Sequence, residues 1–99
     1  MRDEESSPRV ACVRVIVGGR VQGVSFRSSM REVARRHRVN GWVRNNPDGS
    51  VEAMLQGRVD GLNRVLDWAR HGPPSAVVTE FRVEFIEPST DLGDFQVQL

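Results

Sequence analysis

The chain has 99 residues, of which 38% are hydrophobic and 27% charged, and its formal net charge is +1. That length suits one domain around one core and is too short for two. The composition is too apolar for a disordered chain, and near-neutrality withholds the electrostatic footprint of a nonspecific nucleic-acid binder.

The polar run 2–8 has no apolar h-region and reads as a short flexible tail ahead of a domain spanning 9–99. No apolar stretch approaches the roughly 20 residues that cross a bilayer. Cys12 is the only cysteine, so an internal disulfide and a multi-cysteine zinc site are excluded. It sits in an alternating apolar stretch, where a free thiol packs as a small hydrophobe, and a reducing cytoplasm is the expected compartment.

Val10 to Val17 is rich in β-branched residues, with Val13, Val15 and Val17 on one face, and predicts the first strand. Gly18, Gly19 and Gly23 punctuate the loop that follows, and Ser25 is in position to cap a helix beginning at Phe26. Phe26, Met30, Val33, Ala34 and His37 recur at helical spacing. All fourteen cationic side chains are arginines, and Arg27, Arg31, Arg35, Arg36 and Arg38 fall in this one helical region, where the last four suit a solvated face.

Gly41 to Asn45 and Ser50 to Gln56 predict a hairpin around Asn46-Pro47-Asp48-Gly49, in which Pro sets the first turn dihedral and Gly permits a left-handed close. Val59 to His71 predicts a second helix, stopped by Gly72-Pro73-Pro74. Val77 to Phe85 alternates throughout, with Val77, Thr79, Phe81, Val83 and Phe85 on one face. Phe95 to Leu99 predicts a short last strand. The order βαββαβ plus a terminal strand predicts an α+β fold, a ferredoxin-like sandwich with an antiparallel sheet and two helices on one face. Fold by itself does not assign function.

The loop before the first helix is where chemistry becomes possible. Gly19 and Gly23 let successive amides turn into one concavity, and a helix N-terminus adds unsatisfied N–H groups and partial positive charge. Arg27 stands in that helix's first turn, where a cation opposes the macrodipole unless an anion lies between them. On these residues alone, an ordinary glycine turn followed by a solvated arginine stays open.

Val17, Gly19, Val21, Gln22, Gly23, Val24, Phe26 and Arg27, followed by Gly41, Trp42, Val43, Arg44, Asn45, Gly49, Val51 and Gly57, resemble the two signatures of the acylphosphatase family, in order and on the expected elements. The resemblance runs from about Val10 to Leu99. It implies hydrolysis of acyl phosphates without metal or cofactor. The phosphate would be bound by Arg27 and the backbone of Gly19, Arg20, Val21, Gln22, Gly23 and Val24, and Asn45 would orient the attacking water. The expected partner is a small acyl phosphate, with inorganic phosphate as product, and the chain is expected to act as a monomer, with neither membrane nor nucleic acid involved. A sheet-face RNA-binding module is disfavoured because the candidate central strands, Val10 to Val17 and Ser50 to Gln56, carry no aromatic side chain for base stacking. His37 and His71 have no acidic or cysteine partner at ligand spacing.

Overall fold

The structure is a computed structural model and describes residues 9–99. The proposed tail 1–8 lies outside the described residues. Seven elements follow in order: β1 (Val10–Arg20), α1 (Phe26–Arg36), β2 (Asn40–Asn45), β3 (Val51–Arg58), α2 (Val59–Ala69), β4 (Val77–Ile86) and β5 (Gln96–Val97). They form one sheet in the order β4-β1-β3-β2-β5.

Neighbours among β1 to β4 are antiparallel, whereas β5 runs parallel to β2, so the expected all-antiparallel sheet is mixed. Connectivity explains the difference. β4 ends at the same end of the sheet where β2 begins, on the opposite edge. Segment 87–95 crosses that end, held by paired hydrogen bonds between the Gln56 side chain and the Ser89 backbone (2.6 and 2.8 Å), and enters β5 in the direction of β2.

Alternation along the strands puts Val13, Val15 and Val17 of β1 beside Leu55, Ala53 and Val51 of β3, all buried beneath the helices. Phe26, Met30 and Ala34 of α1 and Leu62, Val65 and Ala69 of α2 close this core from above. Trp68 packs on Phe26 with ring centroids 5.2 Å apart and planes inclined by 56°. Burial of each large side chain here stabilises the fold by about 1.5–3 kcal/mol, and the core fixes the platform from which the β1–α1 loop rises.

The alternation in β4 changes partway. Gly18 pairs with Glu80 but Gly19 with Val78, so Thr79 is an extra residue in a β-bulge. Below it Phe81 packs toward the core as predicted; above it Val78 packs and Val77 is exposed, reversing the predicted face.

The opposite face of the sheet carries a buried charge that alternation alone reads as exposed. The Glu52 side chain is only 5% exposed, held between the Arg14 guanidinium and that of Arg44, whose Nη2 and Nε donate to it at 2.9 and 3.2 Å. Burial pushes the carboxyl up, but hydrogen bonds and attraction from the two arginines outweigh this and hold it below its ordinary value. Cys12 is buried, as expected of a packed thiol, and burial raises its pKa.

Candidate active site

The segment between β1 and α1 bends by alternating the sign of φ. Gly23 has φ +76° and Ser25 φ +65°, with Val24 between them outside the left-handed region. Alternation of this kind turns consecutive N–H groups toward one point and makes an anion-binding nest. Glycine adopts such a φ freely; for serine the left-handed conformation costs about 1–3 kcal/mol, and strain of this size collects at functional sites.

Ser25 therefore differs from the predicted cap. A capping side chain needs an extended backbone to reach back to the first helical amides, whereas Ser25 is left-handed and its side chain makes no capping bond. Its carbonyl instead accepts the Ser29 N–H at 3.1 Å. The first turn of α1 contains no acidic residue, so its amides have no competing carboxylate there.

A cavity of about 180 Å³ opens at this point, lined by Val21, Gly23, Ser25, Phe26, Arg27, Ser28, Asn45 and Val97. Of the predicted site residues, Val21, Gly23, Arg27 and Asn45 thus meet around one space. Asn45 arrives there because it is two residues beyond buried Val43 on β2 and shares its helix-side face. Gly19 and Arg20 occupy the last rungs of β1, opposite Val78 and Val77. Gln22 and Val24 flank the cavity without lining it, Val24 packing against the core. A larger depression of about 370 Å³ among Arg36, Arg38, Arg58 and Arg64 is walled mainly by exposed arginine side chains. The smaller cavity joins a strained nest, a helix N-terminus, a guanidinium and a side-chain amide.

Three attachments that the sequence does not announce hold this site together. The Gln22 side-chain amide donates to the carbonyls of Asn46 and Ser50 at 2.8 and 2.9 Å, bolting the loop to the β2–β3 turn next to Asn45. Arg27 Nη1 donates to the Gln98 carbonyl at 2.7 Å, and Gln98 N–H donates to Val43 O at 2.8 Å. Arg35, expected on a solvated face, donates to Phe95 O at 3.1 Å and ties α1 to the segment entering β5. Within the turn, the Ser50 hydroxyl and amide donate to Asp48 at 2.7 and 2.9 Å and lower its carboxyl pKa.

The cavity wall contains no carboxylate or imidazole. Among the described residues, no group of three or more His, Cys, Asp and Glu is placed to hold a metal ion. Among the described residues, no helix is long and apolar enough to cross a membrane.

A family model described as Acylphosphatase matches residues 13–97. The acylphosphatase of Aeropyrum pernix is 57% identical over 86 residues, covering 86% of this chain and 85% of that protein. That of Gloeobacter violaceus is 54% identical over 83 residues, covering 84% and 88%. Among solved structures, the acylphosphatase from Coxiella burnetii superposes with TM-score 0.85 at 38% identity, over 90% of this chain and 93% of its own. Full-length HypF in its phosphate- and nucleotide-bound form gives TM-score 0.84 at 25% identity, with 93% of this chain matching 12% of that one.

Proposed function

We propose, for a chain that belongs to the acylphosphatase family and hydrolyses the carboxyl–phosphate bond of acyl phosphates, that Arg27 and the nest amides hold the phosphoryl group while Asn45 orients the water. The observation that supports this division of roles is the shared cavity of Gly23, Ser25, Arg27 and Asn45. One arm of the Arg27 guanidinium is anchored on Gln98 O; its remaining donors are left to fork onto two phosphoryl oxygens by charge-assisted hydrogen bonds. The backbone of Gly19 to Val24 and the start of α1 take the other oxygens.

Water bound to Asn45 attacks phosphorus, the bond from phosphorus to the acyl oxygen breaks, and the carboxylate leaves with the electron pair. Its conjugate acid has a pKa of about 4, so it needs no proton at the moment of departure. Stabilising charge on the equatorial oxygens is then the main task, and fixed donors perform it. A cavity wall without carboxylate or imidazole favours transfer of the water's proton to a phosphoryl oxygen of the substrate itself. All these groups come from one chain, which supports catalysis by the monomer. The single, buried Cys12 supports cytoplasmic residence.

Hydrolysis of benzoyl phosphate in the presence of a chelator tests the reading. Arg27→Ala and Asn45→Ala each remove one placed donor and are expected to lower the rate about 100-fold to 1000-fold. Full activity in Arg27→Ala, or a chelator-sensitive rate, refutes it.

A further inference from the structure

The depression of about 370 Å³ lies where the last turn of α1 meets the first turn of α2, and its wall carries Arg36, Arg38, Arg58 and Arg64 with Asp60 as the only carboxylate. Four guanidiniums against one carboxylate leave an excess of three positive charges in one concavity, on a chain whose net charge is only +1. Asp60 offsets little of it, since its ion pair is a 3.8 Å contact with Arg58 between two largely solvated side chains. Arg36, Arg38 and Arg64 have no ion-pair partner among the described residues.

Backbone features bring these charges together. A Cβ on Gly61 would lie 2.5 Å from His37 O, so the missing side chain lets the start of α2 approach the end of α1 this closely. Arg38 closes α1 with φ +58°, its N–H donating to Arg35 O at 3.2 Å and Val39 N–H to Ala34 O at 2.8 Å. Glycine is the usual residue there, because a Cβ strains the left-handed backbone. The dipole of α1 accounts for cations at its C-terminus, but not for Arg58, which immediately precedes α2, where a cation opposes the dipole as Arg27 does at α1. Helix amides do not make the site, for Val59 N–H is taken by Arg9 O and Gly61 N–H by the Asp60 carboxylate.

We propose that Arg36, Arg38, Arg58 and Arg64 form a second anion site, separate from the cradle, which binds a polyphosphate chain, either free or carried by a nucleotide. Each guanidinium can fork onto two phosphoryl oxygens. One phosphate group, with a charge of about −1.5 to −2, leaves part of the positive excess unmatched. A chain of phosphates matches it and reaches guanidiniums from both helix ends. The volume falls among those of small-molecule sites. No aromatic side chain lines the depression to stack a base, so recognition rests on the phosphate chain and not on a nucleoside or a single-stranded nucleic acid. The cradle lies at the other end of α1, a helix of 11 residues and therefore about 16 Å long. That exceeds the Debye length of about 10 Å at 0.1 M salt, so each site fills while the other is occupied.

Titration of the isotope-labelled chain with sodium tripolyphosphate, followed through backbone amide chemical shifts, tests this. The His37, Arg38 and Gly61 amides report the depression; those of Gly23 and Val24 report the cradle separately, so the outcome does not depend on the mechanism proposed there. The first set is expected to shift and saturate, to do the same with adenosine triphosphate, and to ignore adenosine. Arg36→Gln and Arg64→Gln are expected to weaken binding about twofold to fivefold each, and the double variant about tenfold or more, with benzoyl phosphate hydrolysis and circular dichroism unchanged. Molar salt, where the Debye length is about 3 Å, should release the ligand. Depression amides that do not saturate, or that titrate alike in the wild type and in both single variants, overturn the proposal. So does an acidic peptide of equal charge that binds as tightly as tripolyphosphate, or adenosine that shifts the same amides by itself.

Discussion

Replacing Gln22 by Ala removes the two side-chain bonds that tie the cradle to the β2–β3 turn. A neutral hydrogen bond contributes about 0.5–1.5 kcal/mol net. The acceptors are not orphaned, because Asn46 O still receives Gly49 N–H and Ser50 O still receives Asn46 N–H. The loss of stability is therefore expected near the low end of the sum, about 1–2 kcal/mol, or roughly 4–8 °C in Tm per kcal/mol for a domain of this size. The effect on rate is expected to be larger than this suggests. In the proposed mechanism Arg27 and the nest would still gather the phosphate, but the loop would no longer be fixed relative to Asn45, and a displacement of about 1 Å can cost on the order of 100-fold. Benzoyl phosphate kinetics should show kcat lowered by about tenfold to 100-fold with a smaller change in KM. Gln22→Glu, which keeps the length but loses the donors and turns a charge toward two carbonyls, should be at least as impaired. An unchanged kcat in Gln22→Ala, with or without a raised KM, would show that the bridge positions nothing.

Glu52→Gln keeps the shape but removes the charge between Arg14 and Arg44; because both guanidiniums are nearly half exposed and can be rehydrated, the cost in urea unfolding is expected at about 1–3 kcal/mol, below that of a fully buried broken pair. Glu52 and Asp48 both have folded pKa values below their unfolded ones. Their stabilisation is present above the unfolded value near pH 4 and disappears as pH falls through the folded values, so the urea midpoint should be flat toward neutrality and fall below about pH 4. Most of that fall should be absent in Glu52→Gln, since Asp48 is solvated. Gly19→Ala is expected to destabilise by about 2–4 kcal/mol, because its φ is +116° and a Cβ would lie 2.3 Å from Val77 O and 2.9 Å from Thr79 N; a neutral result in thermal melts would contradict the tightness of the bulge.

Where the structure follows the sequence and where it departs have physical causes. The strands β1 to β3 and both helices are written in periodicity, because the side chains that alternate or recur are the ones the core buries. What depends on a distant partner is not. The direction of β5 follows from the end of the sheet at which segment 87–95 crosses, and the face reversal in β4 follows from a bulge whose other half is Gly18 and Gly19. Glu52 occupies an outward position by alternation and is buried because Arg14 and Arg44, on two neighbouring strands, fold over it. Ser25 has the residue type of a cap, but its place in the nest imposes a left-handed backbone that a cap cannot have. The glycine-punctuated loop ahead of a helix N-terminus and the opposing charge of Arg27 are local and readable. The meeting of Asn45 with Arg27 and the hold of Gln98 on the guanidinium arise only when the sheet is assembled.

The site and the core are held by different forces, with a consequence for how the enzyme fails. The core is a continuous cluster of buried valines, leucines and aromatics. The cradle is attached through a few polar bonds: Gln22 to the turn, Arg27 to Gln98, and Arg35 to Phe95. The anchor strand β5 is only two residues long. Segments with few apolar contacts and solvent-reachable hydrogen bonds open at a lower free energy than the whole domain. β5 and the loop should therefore loosen first on heating, releasing Arg27 from its anchor while the sheet persists. Activity measured during a thermal ramp is then expected to decline before the far-ultraviolet dichroism changes, and the Gln98 and Val43 amides should exchange with deuterium at different rates, Gln98 being the faster. Coincident loss of activity and dichroism, together with equal protection of those two amides, would mean that β5 belongs to the same cooperative unit as the core and that the cradle is as stable as the sheet beneath it.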